Sequence, residues 1–139
     1  MTLDRAIAIA AEAHTDQKDK AGISYILHPI RLMIQMDSEE AMIAAVLHDV
    51  VEDSVWTLDD LRREGFSDEV LNAVDCLTHR EGEGEDYWDY IKRAGSDPIA
   101  IKVKLADLLD NLNPNRLNKV TKEDEKRFER YRKAQQMLS

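Results

Sequence analysis

Apolar residues recur at helical spacing along most of the chain, and no stretch of useful length alternates as a strand does. Leu3, Ile7 and Ala10 share one face of a helix that runs to about His14. Gln17 to Ser24 is polar, contains Gly22 and reads as a loop. His28-Pro29 starts a second helix, because proline in the first turn loses no needed hydrogen bond. Ser38 caps a third, with Glu39 and Glu40 set against its N-terminal dipole. Thr57 and Asp60 form a capping-box pattern, and Gly65 can end that short helix. Ser67 caps a helix carrying Val70, Leu71, Val74 and Leu77. Arg80 to Asp86 is a charged loop. Tyr87 to Ala94 is helical and stops at Gly95, and Asp97-Pro98 opens a helix that Asn113-Pro114 breaks. Thr121 caps the last helix, with Phe128, Tyr131 and Leu138 as its apolar stripe. The expectation is an all-α chain of about seven helices, one domain over residues 1–139, with no repeat and no linker.

The third helix is the unusual one. From Glu39 to Val51 it is apolar almost all round, as a central buried helix must be. Yet it carries His48 and Asp49, followed by Glu52 and Asp53. A buried carboxylate is costly unless it is paired or bound to a metal. On a continuous helix His48 and Glu52 share a face, as do Asp49 and Asp53. His28 stands among apolar neighbours in Tyr25-Ile26-Leu27-His28-Pro29, and Asp107 does so in Val103-Lys104-Leu105-Ala106-Asp107. His28, His48, Asp49 and Asp107 together offer two imidazoles and two carboxylates, suitable ligands for a divalent cation with positions left open. Such a cation acidifies water and polarises a phosphoryl oxygen. The plainer alternative is a helix that ends after Val51, with Glu52 and Asp53 in water and His48 satisfied in the core. It leaves Asp49 unexplained.

Charge narrows the function classes. The 139 residues carry a formal net charge of −9, so a basic nucleic-acid footprint is not expected. An anionic substrate would need a local cationic patch or a metal to offset that field. Hydrophobic residues make up 43%, enough for a core without disulfides, and Cys76 is the single cysteine. No apolar run nears the ~20 residues of a membrane span. Met1 to Asp4 lacks the layout of a signal peptide, so a soluble cytoplasmic protein is the default expectation.

Four segments, Ala13-His14-x-x-Gln17, Tyr25-x-x-His28-Pro29, His48-Asp49-Val50-Val51-Glu52-Asp53 and Val103-Lys104-Leu105-Ala106-Asp107-x-x-x-Asn111, resemble the hydrolase domain of the Rel/SpoT alarmone enzymes in the same order. The chain has no room for a synthetase domain, so it is most similar to the stand-alone small alarmone hydrolases. The resemblance implies a single compact HD-type helical domain, a manganese ion, and removal of pyrophosphate from the 3′ position of a guanosine polyphosphate. It implies His28, His48, Asp49 and Asp107 as metal ligands. It makes Glu52 and Asp53 the acids beside the attacking water, with their two roles open. Lys20 and Asn111 match substrate-binding positions. Lys104 belongs to the last motif and reads as a surface residue.

The chain departs from that pattern where Asp16 replaces a glycine, Asp19 an arginine and Ser24 a proline, and Asp110 stands where histidine or tyrosine is common. An aspartate cannot stack as a guanidinium does, and it repels phosphate. A different nucleotide or a smaller phosphorylated metabolite is therefore a second expectation, and a non-catalytic nucleotide-sensing module a third. Of the cations that could serve the site, Arg116 is the best placed by sequence, ahead of Arg93 and Lys102. Gly82-Glu83-Gly84 is too acidic to cradle phosphate. Tyr87, Trp88 and Tyr90 read as core or interface. His14 reads as structural or as support behind the ligands, and His79 and Cys76 have no convergent partners.

Overall fold

A computed structural model describes residues 2–139; Met1, and with it the start of the expected domain and of the N-terminal reading, lies outside the described residues. The described residues are all-helical, with one isolated bridge between Lys18 and Ser24. The α-helices are α1 (Leu3–Ala13), α2 (Leu27–Ile34), α3 (Glu39–Leu47), α4 (Val50–Asp53), α5 (Leu58–Arg63), α6 (Asp68–Leu77), α7 (Tyr87–Ala94), α8 (Pro98–Asn111) and α9 (Lys122–Leu138). Local chemistry starts most of them. Ser38 and Ser67 each accept a backbone N–H of the first turn, Asp97 accepts two, and Thr57 and Thr121 close full capping boxes with Asp60 and Asp124.

The helix expected to run from Glu39 to Val51 is broken. Its first part, α3, ends at Leu47, and α4 begins at Val50. In an unbroken helix the Ala45 carbonyl would accept from Asp49. Here it accepts from His48 instead, through the backbone N–H at 3.4 Å and ring Nδ1 at 2.7 Å. Asp49 then sits at φ −105°, ψ 0°, outside the helical region. The face-sharing expected of a continuous helix therefore does not apply, and His48 and Asp49 occupy a corner.

The core lies around α3, whose Ala41 and Ile43 to Leu47 are buried. On one side Ile43, Val46 and Leu47 pack with Ile9 of α1, Leu61 of α5 and Val70 and Val74 of α6. Each of the fully buried leucines and isoleucines contributes about 1.5–3 kcal/mol by the area it removes from water. On the other side Ala41, Ala44 and Ala45 meet Leu32 of α2, Ala73 of α6 and Ala100, Val103 and Ala106 of α8. These small residues let α8 approach α3 closely, which carries Asp107 to the corner at His48. A third cluster, with Tyr90, Ile91, Leu108, Ala134 and Leu138, docks α7 and α9 onto α8. No helix among the described residues is long and apolar enough to cross a membrane.

Candidate metal centre and its two clefts

His28 comes from the first turn of α2, His48 and Asp49 from the α3–α4 corner, and Asp107 from the C-terminal half of α8. Donor atoms of His28, His48 and Asp49 all lie within 4.8 Å of one another. Asp107 Oδ1 is 2.8 Å from His28 Nε2 and 3.5 Å from His48 Nε2. The four residues expected as ligands are thus brought together, and His28, His48 and Asp107 are buried.

The donor set fits a divalent cation. His48 gives its Nδ1 proton to Ala45, so Nε2 is the lone-pair nitrogen. That Nε2 is buried without a hydrogen-bond partner among the described residues, 2.9 Å from Asp49 Oδ2. A lone pair aimed at carboxylate oxygens is repelled unless positive charge lies between them. A proton can serve: burial lowers the His48 pKa, but the facing Asp49 and Asp107 carboxylates raise it well above the ordinary value. A divalent cation meets the same demand with two charges.

Several supports were not visible in the sequence. The Tyr25 hydroxyl donates to Asp49 Oδ2. Lys104 is buried, contrary to its expected surface role. Its Nζ donates to Asp107 Oδ2 at 2.8 Å and lies 4.8 Å above the Tyr90 ring. Asn111 Nδ2 donates to Asp107 Oδ1 at 3.1 Å. Asp110 faces the far side of the His28 ring, with Oδ2 2.6 Å from Nδ1. Burial alone raises the Asp110 carboxyl, but hydrogen bonds from His28 and Arg31 and the His28 and Arg116 charges hold it well below the carboxylate range. His14 Nδ1 and Gln17 Oε1 are 2.8 Å apart, and Gln17 Nε2 donates to the Asp53 carbonyl at 2.9 Å, tying α1 to the end of α4.

Glu52 and Asp53 open onto a cleft of about 500 Å³ that also takes in Asp49, His79, Lys104 and Asp107. His79, without an expected partner, donates its backbone N–H to Glu52 Oε1 at 2.8 Å and stacks its ring on Tyr90 at 4.7 Å. Burial, then the Asp49 charge, raises the Glu52 carboxyl. Asp53 is pushed up to about 7 by burial and then by the charges of Asp49 and Glu52.

A second cleft, of about 280 Å³, holds the three residues expected to bind substrate, Lys20, Asn111 and Arg116, with Lys18 and Arg127. Asp124 also lines it, pairing with Lys20 at 3.9 Å and with Arg127, so the cleft supplies a local positive excess against the net −9 that is smaller than its cations alone would give. Phe128 and Tyr131 of α9 add apolar and aromatic surface, and Tyr25, Asn111 and Tyr131 line both clefts. Arg93 and Lys102 play no such part. Arg93 binds Glu85 and the Asp75 and Thr78 carbonyls, and Lys102 faces Asp37 at 3.6 Å. Asp19 also lines the second cleft, but its Oδ1 is turned to its own loop, accepting the N–H of Ala21 and of Ile23 at 2.9 and 3.0 Å.

A family profile described as an HD domain matches residues 6–138. The chain belongs to the HD-domain family. This HD domain is 33% identical over 120 residues to the guanosine-3′,5′-bis(diphosphate) 3′-pyrophosphohydrolase of Aquifex aeolicus, a match covering 79% of the chain and 17% of that relative. It is 33% identical over 135 residues to the GTP pyrophosphokinase of Streptomyces coelicolor, covering 89% of the chain and 16% of the relative. The chain therefore spans less than a fifth of the length of these two curated relatives. A solved structure described as a metazoan ortholog of SpoT that hydrolyzes ppGpp and plays a role in starvation responses matches with a TM-score of 0.78 at 25% identity. That match covers 96% of this HD domain and 82% of the solved chain. Membership of the HD-domain family implies a divalent metal, and the His/Asp cluster fits one.

Proposed function

We propose that this HD domain is a metal-dependent pyrophosphohydrolase that removes the 3′ diphosphate from guanosine-3′,5′-bis(diphosphate). The observation that carries this is the adjacency of the two clefts. The acid-lined cleft beside the ligand cluster and the cation-lined cleft meet at Tyr25, Asn111 and Tyr131. A nucleotide laid across them places its base and sugar against Phe128 and Tyr131, its phosphates near Lys20 and Arg116, and its scissile bond beside Glu52 and Asp53. The names of the relatives support the same substrate.

His28, His48, Asp49 and Asp107 would hold the cation, which we take to be Mn2+. When bound, it supplies Lewis acidity that polarises a phosphoryl oxygen and makes water more acidic. Glu52, fixed by the His79 N–H, orients the attacking water and accepts one of its protons. The diphosphate gains the hydroxyl as its bond to the ribose 3′ oxygen breaks. Asp53, with a pKa near neutrality, delivers a proton to that oxygen. Lys104 holds Asp107 in place, and Asn111 bridges Asp107 to the substrate cleft.

A second substrate, another nucleotide or a smaller phosphorylated metabolite, is favoured by one observation: an aspartate, Asp19, forms the cleft wall where the resembled loop carries arginine. The test is a panel of guanosine and adenosine polyphosphates, nucleoside monophosphates and sugar phosphates incubated with full chain and Mn2+, with products resolved by ion-exchange chromatography. Preferential release of pyrophosphate from guanosine-3′,5′-bis(diphosphate) is expected. Preferential turnover of another compound would replace that substrate. Calorimetric binding without turnover anywhere in the panel would favour a sensing module.

A further inference from the structure

Asp110 lies one turn beyond Asp107 on α8 and has no part in the chemistry above. Its two oxygens are crowded by donors. Arg31 Nε reaches Oδ1 and Arg31 Nη2 reaches Oδ2, both at 3.0 Å, and Arg116 Nη1 lies 3.0 Å from Oδ2. Beneath them, Oδ2 is 2.6 Å from His28 Nδ1. A carboxylate held by two guanidinium groups can only accept, so the proton in that contact belongs to Nδ1. Nε2 is then the lone-pair nitrogen of His28, and Nε2 is the atom that faces Asp107 across 2.8 Å. Arg116 Nη1 also stands 3.3 Å from Nδ1. With Nδ1 protonated these are two donors, and they are neighbours because they share Asp110 Oδ2 as acceptor.

The two imidazoles of the cluster thus reach one state by different routes. The backbone carbonyl of Ala45 fixes His48, while a side chain from the other end of the chain fixes His28. Carboxylate partners of this kind set the tautomer and ring orientation of metal-binding histidines and raise their basicity. We propose that Asp110 is a positioning residue: it accepts the Nδ1 proton of His28 and so presents the Nε2 lone pair to the divalent cation, while Arg31 and Arg116 hold its carboxylate in place. This rests on the metal-site reading of the cluster. It also gives Arg116 two contacts at once, with Asp110 and with Asn111 Oδ1 at 2.7 Å, on the wall of the substrate cleft.

The test is Mn2+ titration of the chelator-stripped full chain by calorimetry, for wild type, Asp110→Ala, Asp110→Asn and Asp110→Glu. In Asp110→Asn the amide oxygen is taken by the arginines and the amide N–H turns toward the imidazole, so it too should fail. Affinity should fall about 10–100-fold in the alanine and asparagine variants, the loss typical of an outer partner. Asp110→Glu should recover part of it. Nitrogen-15 NMR of the zinc-loaded wild type should show His28 protonated at Nδ1, a signature that a merely structural role does not require. Wild-type affinity in both Asp110→Ala and Asp110→Asn, or a His28 bound through Nδ1, would overturn the proposal. If Asp110→Ala does not fold, the asparagine variant and the wild-type spectrum still decide. A wild type that binds no divalent cation would remove the metal-site reading itself, whereas a binding wild type with unaltered variants would remove only the role of Asp110.

Discussion

Lys104 Nζ and Asp107 Oδ2 are 2.8 Å apart and both side chains are buried, so each is the other's main compensation for leaving water. Removing one partner of a buried pair strands the other, at a cost of about 3–5 kcal/mol. Lys104→Met keeps the apolar stem and deletes the charge. In the presence of a chelator, urea unfolding should show a loss in that range. With Mn2+ present the loss should be smaller, because the cation faces the same carboxylate. Equal losses with and without metal would separate Lys104 from the cluster.

Asp49 is the proposed ligand whose position depends on the broken helix and on the Tyr25 hydroxyl. Asp49→Ala should reduce Mn2+ affinity by more than the about 10–100-fold attributed to an outer partner, and activity should go with it. Metal content after gel filtration and turnover of the same sample check this together. A metal-free variant with full turnover would sink the metal-dependent mechanism.

Glu52→Gln should separate chemistry from binding. The amide can still accept from the His79 N–H, so the cleft wall should hold, but it cannot take a proton. Turnover should drop by about 10²–10⁴-fold, the usual worth of a positioned base, with Mn2+ affinity changed little. A variant that loses metal instead would make Glu52 a ligand.

Asp53 predicts a pH dependence of the metal-free fold. Its folded pKa, about 7, is raised above the ordinary aspartate value of about 3.9. The folded state therefore binds the proton more tightly than the unfolded state. The stability this gives is complete below about pH 4 and disappears as pH rises through about 7. Other groups titrate too, so the comparison is with Asp53→Asn, which cannot ionise. In chelator, the Tm of wild type minus that of Asp53→Asn should fall steadily from pH 4 to pH 8. A flat difference would show Asp53 to be an ordinary solvated acid.

Asp16 has φ +66°, in the left-handed region, where the resembled loop carries glycine. Aspartate tolerates that conformation better than most residues, but still at a cost. Asp16→Gly should raise stability in thermal or urea unfolding, by less than the about 1–2 kcal/mol that the left-handed region costs an ordinary L-residue. A destabilised variant would mean that the aspartate side chain makes a compensating contact.

The helix starts were legible because a cap and its partner are three residues apart: Ser38, Thr57, Ser67, Asp97 and Thr121 all act as their local sequence suggests. The clustering of His28, His48, Asp49 and Asp107 was legible because histidine and aspartate inside apolar runs contradict burial. The break after Leu47 was not. Residues 39–51 are compatible with one helix throughout, and the break is marked by the contact of His48 with Ala45, a matter of side-chain geometry that residue type does not announce. Lys104 could have been suspected from its place three residues before Asp107. The meeting of Asp110 with His28 spans most of the chain and leaves no local trace, which is why Asp110 registered only as an unusual residue.

The four proposed ligands come from three stretches of chain that touch only after folding. A cation held by all of them closes two long loops in the manner of a reversible cross-link. The unfolded chain offers no such cage, so occupancy counts directly as folding free energy: at one hundred times Kd it adds about 2.7 kcal/mol. Metal supply would then govern how long the protein survives as well as how fast it turns over, and the same stripping step that silences the site would expose α8 to detachment from α3.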